Sequence, residues 1–511
     1  MAGVKDSNKI TRRGFIKGAA IGAGAITLTG LNVNGIDAAP PPKKWDKEYD
    51  VVVVGAGGGG LCAAIEAATS KADVLLLEKM QTIGGDTIIS GSAVIAAGTS
   101  IQKKAGVVDS PDKFFQDAIE DGRKQYQFIK QDTKLIKIGY DKGPELVDWL
   151  ISLGVPFLEK PTPFLQPVPR IQYVAPGYRK GSPILVGKLR EAAEKKGVKI
   201  LLQTKLTELI IDPKGPCSNQ RVIGVVAQDA KGKVMKIKAR KGVVLATGGF
   251  VKGEDMIKRY HPYLVGLRTL GAPGNTGDGI KAAQAIGANM LVEYVGYGVE
   301  TLFVGTQKGY SAGLPLTSAP LIVVKKDGKR FIDETLGYSA VTKDMIGKGY
   351  KVAYWVFDEN GRKANEVIFK PIFENDVVRS FSTLDELAAQ MGINGTALVE
   401  TIKNYNEDVE KGRDKEFGRT RLLQKIESAP FYSFEAEPAY YVTYGGLEIN
   451  EASQVLNEVG KPIPSLYAAG EVCGCLGPQV NVRYGNLGGL AQCMIFGRIA
   501  GKNAASQKPW K

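Results

Sequence analysis

Val51-Val-Val-Val-Gly55-Ala-Gly57-Gly-Gly-Gly60 is the stretch that fixes how this chain is read. Four consecutive β-branched residues predict a buried strand. Gly55, Gly57 and Gly60 then stand at the G-x-G-x-x-G spacing. Leu61 to Thr69 reads as a helix and Val74 to Leu77 as a second strand, with Glu78 at its end. This order brings a pyrophosphate to the helix N-terminus, where backbone N–H groups and the helix dipole favour anions. Glu78 has the spacing of an acid that binds a ribose hydroxyl. Glycine-rich loops alone are common. Strand, glycines, helix, strand and acid in succession specify a dinucleotide site in an α/β fold.

The N-terminus adds a compartment. Thr11-Arg12-Arg13-Gly14-Phe15-Ile16-Lys17 carries the twin-arginine pattern, and Gly18 to Leu31 is mildly apolar. That run is too short and too weak to anchor in a bilayer. Asp37-Ala38-Ala39 offers small residues for cleavage. Residues 1–39 read as a removable signal recognised by the twin-arginine translocase, which predicts a periplasmic or otherwise exported protein. An exported protein cannot count on soluble NAD. The dinucleotide should be one that stays bound, and FAD fits better than NAD.

At 511 residues the chain can hold two or more domains. Its 67 Lys and Arg against 53 Asp and Glu give a net charge of +14, but the lysines are interspersed with acids. No arginine stripe or motif points to nucleic acid. The five cysteines are Cys62, Cys217, Cys473, Cys475 and Cys493, and none forms C-x-x-C-H, so no c-type haem is attached. His261 is the only histidine. A multi-histidine metal site cannot be built, and His261 itself reads as a surface or loop residue. Proton chemistry must then use Tyr, Lys, Arg, Asp or Glu, or His261 alone.

Along the chain, Ser110-Pro111 and Ser182-Pro183 read as helix starts. Strands are predicted at Val198–Leu202, Thr207–Ile211, Val222–Gln228 and Val234–Lys238, and again from Lys241 into a glycine turn ending at Phe250. Asn275-Thr-Gly-Asp-Gly279 opens a helix running to about Ala288, and Leu490–Ala505 forms the last one. The texture changes between about 298 and 436, so the first and last parts read as one domain interrupted by another.

At its glycine-rich loops the chain resembles the flavoprotein family of fumarate reductases and 3-ketosteroid Δ1-dehydrogenases. The resemblance spans about 48–505. It rests on the fingerprint with Glu78-Lys79, Gly84-Gly85-Asp86-Thr87, Ala246-Thr247-Gly248-Gly-Phe250, Asn275-Thr-Gly-Asp278-Gly279 and Leu466-Tyr-Ala-Ala-Gly470-Glu471. It implies a noncovalent FAD held by these loops and a discontinuous Rossmann-like FAD-binding domain, at 45–297 and 437–511. It also implies an inserted α+β capping domain, at 298–436, with substrate between the two. Gly488-Gly489, with Leu487 before them, precede a helix whose free N–H groups could face the flavin edge where charge builds on reduction. Glu471 could hold ribitol hydroxyls.

The fumarate-type pattern is broken here. The histidine expected before the late Gly-Gly is missing from Tyr440-Tyr-Val-Thr-Tyr444-Gly-Gly446, as is the one near Leu291 to Val295. The expected clamp arginine is replaced in Gly485-Asn486-Leu487-Gly488-Gly489, with Arg483 close to the lost clamp, and Lys343 lies near where that family's proton-donating arginine would fall. The ketosteroid-dehydrogenase pattern fits better. It places Tyr338 in Arg330-Phe-Ile-Asp333-Glu334-Thr-Leu-Gly-Tyr338 and Tyr484 in Tyr484-Gly-Asn-Leu-Gly488, with Tyr173, or less well Tyr178, as a third phenol.

By that resemblance Tyr484 and the Gly488 N–H bind a carbonyl, Tyr338 handles the α-proton with help from Tyr173, and a hydride passes to or from the flavin N5. A free tyrosine, with pKa about 10, is a poor base at neutral pH. It must be tuned by its neighbours or act as an acid in the reverse direction. Three functions follow as expectations. The first is an oxidoreductase interconverting a saturated carbonyl compound and its α,β-unsaturated form. The second is an enoate reductase for a non-fumarate acid, with Lys343 or Arg483 holding the carboxylate. The third is an electron-relay flavoprotein subunit. In each, electrons pass to or from a separate carrier, a periplasmic cytochrome or a quinone-linked subunit.

Overall fold

The structure is a computed structural model that describes residues 39–126, 133–163, 168–212, 221–292, 299–304, 312–443, 445–474 and 488–510. The predicted export segment lies outside the described residues except for Ala39. The valine run sits at the end of strand β1 (Lys47–Val54), where Val51 to Val53 are fully buried. Each valine contributes about 1.5–3 kcal/mol on burial. A strand apolar on both faces needs cover on both, as in the middle of a parallel sheet.

Helix α1 (Gly58–Thr69) begins three residues before the predicted start, because the glycines themselves form its first turn. Strand β2 (Val74–Leu77) lies parallel to β1, with Val51 opposite Val74. Short helix α2 (Gly85–Ile89) follows. A two-stranded ribbon then pairs Ala93–Ile95 with Ile171–Tyr173. Its root is set by Arg170, whose buried guanidinium holds Asp109 at 2.7 Å and Asp117 at 2.5 Å. Ser110 caps its helix as predicted, accepting from the Lys113 N–H at 3.1 Å. Ser182 does not. Helix α3 (Gly181–Lys195) starts two residues before Pro183, and the Ser182 hydroxyl instead donates to the Ser90 carbonyl at 2.9 Å.

Strand β3 (Lys199–Leu201) extends the parallel sheet beyond β2. Strands β4 (Thr204–Ile211), β5 (Val222–Asp229) and β6 (Val234–Leu245) form an antiparallel meander. The sequence predicts two strands across 234–245, whereas the structure has one of 12 residues. Its first part pairs with β5 and alternates in burial. Its last four residues, Gly242 to Leu245, are continuously buried: β1 pairs along one side from Ile237 onward, and on the other side the strand Pro462–Ala468 takes the place of β5 from Val243. A change of partners within one strand produced the two-part hydropathy pattern. Helix α4 (Asp278–Gln284) is shorter than the run to Ala288 predicted for it.

The middle of the chain builds a second, antiparallel sheet from β7 (Val299–Phe303), β8 (Ile322–Val324), β9 (Ala353–Asp358) and β10 (Phe431–Tyr440), in the order β7-β10-β9-β8. Its core is aromatic: Phe434 stacks with Trp355 and meets Phe303 edge-on. Helix α5 (Tyr338–Gly347) packs into this core through Val341 and Met345. The turn before α5 is pinned by a buried ion network. Arg330 pairs with Glu334 and Asp414, both at 2.8 Å, and Arg419 reaches Glu334 at 3.0 Å. Glu334 also accepts from the Val323 N–H of β8.

The chain then returns to the first sheet with β11 (Gln454–Leu456) and β12 (Pro462–Ala468), giving the order β11-β12-β6-β1-β2-β3. Helix α6 (Gly488–Ser506) lies along α1. A methyl group at Gly497 would stand 2.2 Å from the Gly59 carbonyl oxygen, so only glycine permits this approach.

Candidate functional site

The turn from β1 to α1 closes on itself. Gly55 has φ +101°, and a Cβ there would lie 2.2 Å from the Ala246 carbonyl oxygen. A Cβ at Gly60 would lie 1.8 Å from the Gly55 oxygen. Gly57 differs: the nearest atom to a Cβ there is the Gly84 oxygen at 3.8 Å, and Gly85 likewise meets only Gly57 at 3.7 Å. The fingerprint's outer glycines serve backbone packing, while Gly57 and Gly85 leave a cradle that side chains would fill. The first turn of α1 holds no acidic residue, and its N-cap residue Gly57 has no side chain to cap it. This is the geometry a pyrophosphate requires.

Neighbouring loops are latched to that cradle. Thr87 Oγ1 accepts from the Gly58 N–H at 2.9 Å. The Glu78 carboxylate accepts from the Ala56 N–H and the Met80 N–H, both at 2.8 Å, so it braces the glycine loop at the end of β2. Lys79 Nζ reaches Asp278 at 2.7 Å and Thr276 Oγ1 at 2.6 Å, joining β2 to the start of α4. Burial works against the charged Asp278 carboxylate, but Lys79 and Lys205 outweigh it and its pKa lies below the usual range.

A second group of residues comes from four distant segments. Asp86 accepts from the Ala272 N–H at 2.6 Å and from the Asn275 amide. Asn275 Oδ1 faces the turn at Gly248, where a Cβ would lie 2.3 Å from it. Glu471, just past Gly470 and β12, accepts from the Thr443 N–H at 2.8 Å, and burial with the Asp86 charge pushes its carboxyl well above the usual range. Thr443 Oγ1 in turn accepts from the Phe250 N–H at 3.0 Å. Thr247 Oγ1 is buried with no partner among the described residues. The residues predicted to bind the cofactor at 55–60, 78–87, 246–248, 275–278 and 470–471 thus lie in one linked set of loops. Gly489 follows Gly488, the first residue of α6. The residues present fit FAD: a glycine cradle for the pyrophosphate, and a polar crevice of Asp86, Asn275, Thr443 and Glu471 beside it. Thr443 carried no signal of its own in the sequence, where its segment stood out only for a missing histidine.

The predicted proton-handling residues are placed less completely. Tyr338 is the first residue of α5, half-buried against the aromatic core behind the Arg330–Glu334 network. Lys343 is exposed on the same helix. Tyr173 ends the ribbon strand, with its ring edge-on to Tyr178 at 6.3 Å. Burial, with the Tyr178 phenol adding to it, pushes the Tyr173 phenol up to about 12. Tyr173 is therefore protonated at neutral pH and suited to donate a hydrogen bond rather than a proton. Tyr484 and Leu487, along with Arg483, Cys217 and Cys475, lie outside the described residues.

His261 corrects the sequence reading. It lies in the link after the helix Glu254–Tyr260, which the loop alternative allowed, but it is 2 % exposed rather than at the surface, and its ring stacks on Phe250 at 5.6 Å. Burial lowers its pKa to about 4. A pKa depressed below the unfolded value of about 6.5 gives stability that is complete above that pH and is lost as pH falls toward 4. Acidification from pH 7 to 4 should cost about 3 kcal/mol through this group. His261→Phe should flatten that part of the pH dependence in denaturant titrations; an unchanged acid limb would refute the assignment.

Comparison with known proteins agrees with this geometry. The family model described as FAD binding domain matches residues 50–481. An NADH:fumarate oxidoreductase of Klebsiella pneumoniae is 34% identical over 93% of this chain, which spans only 48% of that protein's length. The acrylate reductase flavoprotein subunit of Shewanella woodyi is 30% identical, over 97% of this chain and 99% of its own. Among solved structures, a 3-ketosteroid-delta4-(5alpha)-dehydrogenase from Rhodococcus jostii RHA1 superposes with a TM-score of 0.72 at 28% identity, covering 92% of this chain and 100% of that one. The chain belongs to the FAD-binding-domain family, and it is an FAD-dependent oxidoreductase of the kind whose relatives act on carbon–carbon double bonds.

Proposed function

We propose that this protein reduces the double bond of a small α,β-unsaturated carbonyl compound, with phenols rather than imidazoles supplying the proton. The sequestered His261 carries this reading. The only histidine is buried, stacked and neutral above about pH 4, so it cannot clamp a dicarboxylate. Bound FAD supplies the hydride. Tyr338 donates or takes the α-proton, while Tyr484 and the Gly488 N–H bind the carbonyl oxygen and stabilise its enolate-like charge. Tyr173, held protonated, supports the donor. A raised pKa keeps Tyr173 protonated as a hydrogen-bond donor but makes it a weaker acid, so it supports Tyr338 rather than releasing a proton, and the same groups serve reduction and the reverse dehydrogenation.

A second reading, reduction of a non-fumarate unsaturated acid, is favoured by the acrylate reductase relative and by the exposed Lys343, which would hold the carboxylate. In either case the N-terminal twin-arginine pattern supports export. The lack of a C-x-x-C-H motif in this chain supports a separate cytochrome or quinone-linked electron carrier.

Stopped-flow mixing of the reduced flavoprotein with enones, acrylate-type acids and fumarate tests the reading. Rapid reoxidation by enones, with fumarate inert, is the expected result. Reoxidation by acids alone, abolished in Lys343→Met, would favour the second reading. No reoxidation by any of them would leave an electron-relay subunit.

A further inference from the structure

Tyr178 carries a large aromatic side chain left 40 % exposed, yet its ring is held on three sides. It stands in the loop that joins the ribbon strand ending at Tyr173 to α3. That loop is stitched to Ser90–Ser92, the segment that continues α2 into the ribbon. The Val174 N–H donates to the Ser92 carbonyl at 3.0 Å, and the Arg179 N–H to the Gly91 carbonyl at 3.3 Å. The Ser92 hydroxyl donates to the Gly177 carbonyl at 2.8 Å, and the Ser182 hydroxyl to the Ser90 carbonyl at 2.9 Å. Ser92 and Arg179 both carry left-handed backbone, with φ +57° and +59°. Non-glycine residues keep that conformation only where their surroundings over-determine it.

This seam sets the Tyr178 ring. A Cβ at Gly91 would lie 2.9 Å from its Cε2 and 3.3 Å from its Cδ2, so the ring lies against a residue that has to be small. The Arg179 guanidinium stands 5.7 Å from the ring centre. The Tyr173 ring meets it edge-on at 6.3 Å, with an interplanar angle of 88°. Tyr173 is half-buried behind it. The strand that carries Tyr173 is rooted by Arg170, three residues earlier. Asp86 and Thr87, in the first turn of α2, belong to the cofactor crevice, so the same few residues tie the tyrosine pair to it.

We propose that Tyr178 is a positioning residue, an aromatic shutter that seats the Tyr173 ring and keeps solvent from it. This role rests on the proposed reaction, in which Tyr173 supports the proton donor. Tyr178 acts through its ring, and its hydroxyl takes no part. Without the ring, Tyr173 can turn, and water competes for its hydrogen bond. Misplacing a positioned group by about 1 Å is enough to cost about 10²-fold in rate.

Nitration by tetranitromethane with peptide mapping, paired with steady-state kinetics on the substrate found in the flavin screen, tests this. Tyr263, 49 % exposed, serves as the reference for an open phenol. In the wild type Tyr173 should resist nitration while Tyr263 reacts. In Tyr178→Ala it should react nearly as fast as Tyr263, and kcat should fall by about 10- to 10²-fold with KM within about a factor of two. Tyr178→Phe should restore both the resistance and the rate. In a Tyr173→Phe background Tyr178→Ala should cost nothing further, because the two rings act as one unit. The proposal is overturned if Tyr173 reacts equally in wild type and Tyr178→Ala. It is equally overturned if Tyr178→Phe loses as much rate as Tyr178→Ala, which would make Tyr178 a proton-handling phenol in its own right. A Tyr178→Ala loss of the same size in the Tyr173→Phe enzyme would also sink it. A Tyr173→Phe enzyme that turns over like the wild type would instead overturn the part given to Tyr173 in the reaction and, with it, any catalytic effect of the shutter, while the nitration pattern would still decide the shielding.

Discussion

Gly60→Ala is expected to purify without flavin and with a lowered melting temperature. The added methyl would stand 1.8 Å from the Gly55 carbonyl oxygen, 3.0 Å from its carbon and 3.2 Å from Ala246 Cβ. Two of these contacts are backbone, so no side chain can swing away. The first turn of α1 must lift from β1, and overpacking of this kind costs about 1–3 kcal/mol. Gly57→Ala gives the contrasting result. Its methyl meets nothing closer than 3.8 Å, so the fold should melt as the wild type does, while the methyl occupies the cradle and the visible flavin absorbance is lost. Equal flavin content in Gly57→Ala and wild type would show that the cofactor does not approach the loop there.

Tyr338→Phe should lower turnover by roughly 10²–10⁴-fold, the usual contribution of a positioned proton donor, while flavin content stays unchanged. The hydroxyl is the only atom removed, and the ring stays packed against the core of the second sheet. The Arg330–Glu334–Asp414–Arg419 network holds the preceding turn, so the loss would report chemistry rather than a displaced helix. Steady-state kinetics on the substrate found in the flavin screen would check it. A variant that keeps kcat within a factor of two removes Tyr338 from the reaction.

The FAD half of the site was legible because each of its parts obeys a local rule. Valines in a row, glycines at fixed offsets and an acid closing the second strand each have a spacing that backbone geometry demands. The 234–245 strand was harder, because its hydropathy records two sets of partners and the sequence does not announce which strands will pair. His261 was misjudged for a related reason. Its flanking Arg259, Tyr260 and Tyr263 look solvated, and only the tertiary stacking on Phe250 buries the ring. The polar crevice of Asp86, Asn275, Thr443 and Glu471 could not be read from spacing at all, since it exists only once distant loops have converged.

That convergence also governs how the protein comes into being. α1 and α6, and β1 and β12, stand at opposite ends of the chain yet frame one crevice around β6. Such far-reaching contacts raise the contact order and slow folding. During synthesis the early strands must wait, exposed, until the segment around Glu471 and α6 emerges from the ribosome. Insertion of the flavin is therefore a late, post-translational event, and chaperones that shield the unfinished sheet should raise the yield of coloured protein more than surplus flavin does.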